Sequence, residues 1–205
     1  MSTAVVIGDS QAQGLLPVMG PVLARHGYDL DTGRSWAEQG ASIDTVTQHA
    51  RTAGPADLAI VLSGGGNDPA SLIANADAYR TKLQTLVGTL QFAGARSIVL
   101  VGPMRSDDPA VAAQHDAARA IQARGVPGAR WVDGYRLSSF VPHPSGNPTH
   151  WTRAGYEQIA LELEKAIWSS GTVTAIGLVG TLTFLGSIGM IAMEALYERA
   201  RPAEG

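Results

Sequence analysis

The sequence predicts an α/β fold, a three-layer sandwich around a five-stranded parallel sheet, and three observations carry that expectation. Five short apolar, β-branched runs lie between residues 4 and 133, helical patterns alternate with them, and several runs end in glycine or a small polar residue. Strands alternating with helices read as βαβ units and a parallel sheet. Small residues at the carboxyl ends of such strands mark the edge where open α/β sheets handle ligands.

Taken in order, residues 4–7 (AVVI) form the first strand and run into Gly8, Asp9 and Ser10. Residues 11–26 are helical in composition, but Pro17 and Pro21 each lack a backbone donor and are expected to kink or interrupt a helix there. Residues 28–32 form a second strand and 58–62 (LAIVL) a third, which leads into Ser63, three glycines, Asn67 and Asp68. Tyr79, Leu83, Leu86, Val87 and Leu90 recur at helical spacing until Gly94, which predicts a crossover helix. Residues 98–101 (IVLV) form the fourth strand, 110–124 an alanine-rich helix and 131–133 the fifth strand. After Gly155, the stripe Tyr156, Ile159, Leu163 and Ile167 predicts a closing helix.

Composition narrows the functions. A net charge of −3 gives no basic excess to draw the chain to phosphate backbones, so nucleic acid is not an expected partner. With no cysteine, disulfides, thiolate nucleophiles and cysteine-ligated metals are excluded. No P-loop, no dinucleotide fingerprint after the first strand and no metal-ligand spacing is present, so no cofactor and no metal is expected. Residues 1–7 are too short for a secretory signal before Gly8-Asp9-Ser10.

The C-terminal part differs in kind, since residues 166–193 contain one charge-free stretch. Residues 1–168 read as the α/β domain, 169–172 as a hinge, 173–193 as a hydrophobic helix and 194–205 as a polar tail. At ~1.5 Å per residue, 173–193 approaches the ~30 Å thickness of a bilayer core. Glycines 177, 180, 186 and 189 would let backbones approach closely in lipid or in a helical assembly. The segment is expected to anchor the chain to a membrane, or else to other subunits of a large assembly. The flanking charges do not set an orientation.

A serine hydroxyl becomes a nucleophile only when a base takes its proton and donors stabilise the oxyanion. Ser10 follows the first strand, at the start of the next helix, which is a fitting position. Gly-Asp-Ser alone also describes a helix N-cap. The company it keeps is more specific: Gly8-Asp9-Ser10, Gly40 in EQGASIDTV, Gly65-Gly66-Asn67-Asp68 and His150 in NPTHWTRAGY follow in order.

In these four blocks, residues 4–165 resemble the SGNH/GDSL hydrolases, a flavodoxin-like fold family whose blocks supply Ser, Gly, Asn and His. The resemblance implies Ser10 as nucleophile and His150 as base. It also implies an oxyanion hole from the N–H groups of Ser10 and Gly40 and the amide of Asn67. His143, in a proline-flanked loop, is a competing base, whereas His26, His49 and His115 are expected to be solvated.

The third triad member departs from the family. The aspartate usual three residues before the histidine is Asn147 here, which can accept a hydrogen bond but carries no charge to stabilise imidazolium. Three arrangements are open: a Ser–His dyad oriented by Asn147 or a backbone carbonyl, a carboxylate from Asp133 or Asp68, or a site that binds without rapid turnover. Trp151 and Trp36 are candidate substrate-binding walls, with gap filling beneath the loop as the alternative for Trp151. The resemblance thus implies a serine-dependent carboxylic-ester hydrolase acting on a carbohydrate O-acetyl, lipid or other acyl ester. The alternative is a weak or inactive hydrolase-fold binding or structural subunit.

Overall fold

Fully apolar strands rather than alternating ones belong to sheets covered on both faces, and the two central strands are of this kind. The computed structural model describes residues 1–169. Along the chain run β1 (Ser2–Gly8), α1 (Ser10–Ala24), β2 (Tyr28–Leu30), β3 (Trp36–Ala37), α2 (Ile43–Ala50) and β4 (Leu58–Leu62). They are followed by α3 (Ala70–Ala74), α4 (Ala76–Phe92), β5 (Ile98–Val101), α5 (Pro109–Gln122), β6 (Arg130–Val132), α6 (Gly134–Ser138) and α7 (Arg153–Trp168). All pairings are parallel, in the order β2-β1-β4-β5-β6, with β3 also on β1.

The run expected at 28–32 is an interrupted edge strand. β2 pairs with Ser2–Ala4 of β1 and β3 with Ile7 and Gly8. In the gap, the Val6 N–H donates to Ser35 Oγ at 3.0 Å, so a side chain replaces the missing ladder bond. Counted as one strand, this edge gives the flavodoxin-like order 2-1-3-4-5.

Successive side chains of a strand point to opposite faces. Val5, Ile7, Ala59, Val61, Ile98 and Leu100 pack with Val46, Leu83, Leu86, Leu90 and Ile121, so α2, α4 and α5 cover one face. Helices α1 and α7 pack together on the other, and Glu164 of α7 pairs there with Arg25 and His26 just past α1. The three layers agree with the expected class.

Helix α1 is continuous across Pro17 and Pro21, against the expectation of an interruption. Both prolines lie on its exposed face, where water can take the carbonyls they leave without a donor. Helices α2, α3 and α6 went unpredicted. They are only 8, 5 and 5 residues long, too short to give a sustained 3.6-residue period. Among the described residues no helix is long and apolar enough to cross a membrane. The segment 173–193 and the tail 194–205 lie outside the described residues.

Candidate active site

The loops after β1, β3, β4 and β5 and the loop before α7 carry the residues singled out by their chemistry. Ser10 opens α1, with Asp9 as its N-cap: Asp9 Oδ1 accepts the Gln11 N–H at 2.9 Å. Asp9 Oδ2 reaches across to accept the Gly64 N–H at 2.8 Å, so one buried carboxylate ties the nucleophile turn to the glycine loop after β4. Burial raises the Asp9 pKa above the ordinary carboxylate value, opposed by those N–H groups and by His115.

The glycine loop is shaped by its floor. Gly65 has φ +77°, a left-handed conformation that favours glycine. A Cβ on Gly66 would lie 2.5 Å from His115 Nε2. His115 was expected to be solvated, yet it is 8% exposed, donates or accepts at Nδ1 with the Met104 carbonyl at 2.8 Å, and packs under this loop. Its position on the inner face of α5 explains the correction.

Asn67 follows at the loop's exposed end, and its Nδ2 donates to the Ala41 carbonyl at 3.3 Å. That bond draws Asn67 beside Gly40, which turns with φ +79°. One amide hydrogen of Asn67 remains for another acceptor. Neither the Ser10 nor the Gly40 N–H has an acceptor among the described residues. Asp68 instead caps α2, accepting the Ile43 N–H at 2.8 Å.

His150 is brought in by Gln11, the residue after Ser10. Gln11 Nε2 donates to the Thr149 carbonyl at 2.7 Å, and Gln11 Oε1 accepts from the Tyr156 hydroxyl at 3.1 Å. A Cβ at Gly14 would meet Tyr156 Cζ at 2.0 Å, so the glycine makes room for that ring. His150 Nε2 is buried and has no hydrogen-bond partner among the described residues, Ser10 Oγ included. Nucleophile–base bonds are often long in the absence of substrate and tighten on binding. Burial lowers the His150 pKa, Asp9 opposes that shift, and His143 adds to it.

Behind His150 stands Thr149. Its Oγ1 is 2.9 Å from His150 Nδ1 and donates to Asn147 Oδ1 at 3.4 Å. Asn147 Oδ1 also accepts the N–H groups of Thr149 and His150, at 3.3 and 3.0 Å. Asn147 therefore caps the turn and does not contact the imidazole itself. Asp133 is not behind His150 either, for it pairs with Arg119 and caps α6.

A second histidine-carboxylate pair lies nearby. His143 Nδ1 is 2.8 Å from Asp107 Oδ2, and its ring stacks on Trp151 at 4.4 Å. The Asp107 N–H donates to the Pro148 carbonyl at 2.7 Å, strapping the loop after β5 to the His150 loop. Arg105, then His143, lower the Asp107 pKa. No spacing signal marks Asp107 as a partner of His143, since the two sit 36 residues apart.

The two tryptophans differ in exposure, Trp151 being buried and Trp36 half-buried. Trp151 is 6% exposed and donates its indole N–H to the Val141 carbonyl at 3.0 Å, filling the space beneath the loop. Trp36 stacks on His49 at 3.7 Å, which occupies one face of its ring. No group of three or more possible metal-ligating side chains occurs among the described residues.

No protein-family model matches the chain. No curated protein matches its sequence at a significant level. Solved structures do match in three dimensions. A lipase/acylhydrolase from Enterococcus faecalis is 17% identical with a TM-score of 0.60, covering 82% of this chain and 95% of that one. A carbohydrate acetylesterase from Sinorhizobium meliloti is 13% identical with a TM-score of 0.59, covering 82% and 99%. A protein from Slackia heliotrinireducens described as an SGNH hydrolase is 16% identical with a TM-score of 0.55, covering 81% and 98%. What is shared at these identities is the architecture, and the chain has the SGNH-hydrolase fold.

Proposed function

We propose that the chain is a serine-dependent carboxylic-ester hydrolase. The observation that carries this reading is the Gln11 bridge, which joins the Ser10 turn to the loop of His150 at 2.7 Å and to Tyr156 of α7 at 3.1 Å. Ser10 Oγ attacks the ester carbonyl while His150 Nε2 accepts its proton. The N–H groups of Ser10 and Gly40 and the amide of Asn67 receive the oxyanion, a contribution worth about 10²–10³ in rate per donor in such sites. Collapse expels the alcohol, protonated by His150, and water then releases the acyl group from Ser10 by the same proton route. An O-acetylated carbohydrate is the first substrate to test, followed by lipid and acyl-thioester substrates. The carbohydrate acetylesterase among the structural neighbours supports that order.

A second reading is a binding or structural subunit on a hydrolase fold, favoured by the neutral Asn147 and by the absence of a Ser10–His150 hydrogen bond. A fluorophosphonate probe separates the two. Labelling at Ser10 that is lost in Ser10→Ala and in His150→Ala supports the hydrolase, whereas folded protein that does not label supports the binding subunit. The charge-free segment 173–193 would hold the domain at a membrane or within an assembly, on the strength of its length and apolar composition.

A further inference from the structure

We infer that the Thr149 hydroxyl, backed by Asn147, is the positioning group that holds His150 in the tautomer a base requires, in place of the family's carboxylate. The inference rests on the hydrolase reading for its kinetic consequence, but its structural content stands on the hydrogen bonds alone. Thr149 Oγ1 carries a single proton. Asn147 Oδ1 can only accept, and its identity as oxygen is fixed by the two backbone N–H groups it also receives. The proton on Oγ1 is assigned to Asn147, across 3.4 Å, rather than to Nδ1. Only lone pairs of Oγ1 are then left to face His150 Nδ1, 2.9 Å away. With that assignment Nδ1 carries the ring hydrogen, and Nε2 presents a bare lone pair.

This arrangement explains how a site can manage with asparagine at that place. Were Asn147 in direct contact with the imidazole, its NH₂ could donate to Nδ1 and force the proton to Nε2, a tautomer that cannot accept from serine. An intervening hydroxyl reverses the polarity, accepting from imidazole and donating to the amide oxygen. When Nε2 gains the serine proton, the chain Nδ1–H to Oγ1–H to Oδ1 is polarised along its length and strengthens. Being neutral, it stabilises imidazolium less than a carboxylate would. The charged and titratable groups that face His150 are Asp9 from the nucleophile turn and His143 from its own loop, the latter paired with Asp107. Neither is bonded to Nδ1.

The test compares the full chain with Thr149→Val, which keeps the shape and removes the hydroxyl, and Thr149→Ser, which restores it. Nitrogen-15 NMR of the neutral His150 ring reports the tautomer independently of activity. The expected result is an Nδ1–H ring in wild type and Thr149→Ser and a shift towards Nε2–H in Thr149→Val. With it, kcat falls about 10- to 100-fold in the valine variant, KM changes little, and serine restores most of the rate. An Nε2–H ring in wild type, or a valine variant with unchanged tautomer, overturns the inference. A wild type that shows the Thr149-dependent tautomer but hydrolyses no ester supports it while refuting the hydrolase reading.

Discussion

At the scale of single residues, the site turns on what surrounds His150. Its pKa is lowered because burial penalises the imidazolium, with Asp9 opposing the shift and His143 adding to it. His150 must be neutral to accept a proton, so activity should rise with pH through a value below the ordinary 6.5. Asn147→Asp would accept the same two N–H groups and the same hydroxyl proton while adding a negative charge. The charge favours imidazolium, so the acid limb of kcat/KM should move to higher pH and the plateau kcat should rise roughly tenfold. Stopped-flow or steady-state ester hydrolysis from pH 4 to 9 in both proteins measures it; an unchanged limb would mean that charge at position 147 does not reach the ring. The proposal for Ser10, Asn67 and His150 comes from their order in the sequence, with Ser10 opening α1, Asn67 in the loop after β4 and His150 in the loop before α7. Thr149 was not legible there, since a hydroxyl next to a histidine carries no spacing signal and its role appears only when Asn147 Oδ1 is seen turned to the backbone.

At the scale of elements, the base is delivered by the packing of α7 on α1. Tyr156 lies on the first turn of α7, Gln11 on the first turn of α1, and Gly14 one turn further admits the tyrosine ring. Tyr156→Phe removes the donor to Gln11 Oε1 and should cost about 1–3 kcal/mol of stability, the penalty of a buried acceptor left unpaired. It should also lower kcat, because Gln11 then holds the Thr149 carbonyl less firmly. Gly14→Ala is the harsher change. Its methyl would sit 2.0 Å from Tyr156 Cζ, and overpacking of this kind costs about 1–3 kcal/mol or more. Urea unfolding with a parallel rate assay checks both, and a Gly14→Ala protein with wild-type midpoint and rate would show that the ring is not wedged there. The long strands and the helices α4, α5 and α7 were readable from their apolar periods. The prolines of α1 misled because their cost depends on which face they occupy, and a single sequence does not reveal the face until the partner helix is known.

At the scale of the whole molecule, residues Met1–Ser169 form a compact unit by themselves. The sheet, both covering layers and Ser10, Gly40, Asn67 and His150 all lie inside it. The parallel order was foreseeable because alternating strands and helices leave few right-handed topologies. The interrupted edge strand was not, since its repair by Ser35 Oγ is a contact across 29 residues. Burial of whole leucine and isoleucine side chains, about 1.5–3 kcal/mol each, gives such a unit its own driving force. A chain ending at Ser169 should therefore fold cooperatively, with a thermal midpoint close to that of the full chain and the same kcat on a small soluble ester. If the apolar run 173–193 anchors the protein, the same truncation should abolish its sedimentation with membranes or its presence in a large particle, while the full chain keeps it. Loss of activity on truncation would show that the C-terminal part completes the site. Full-length protein that behaves as a free monomer would refute the anchor and leave the catalytic unit untouched, so the two roles are separable in one comparison.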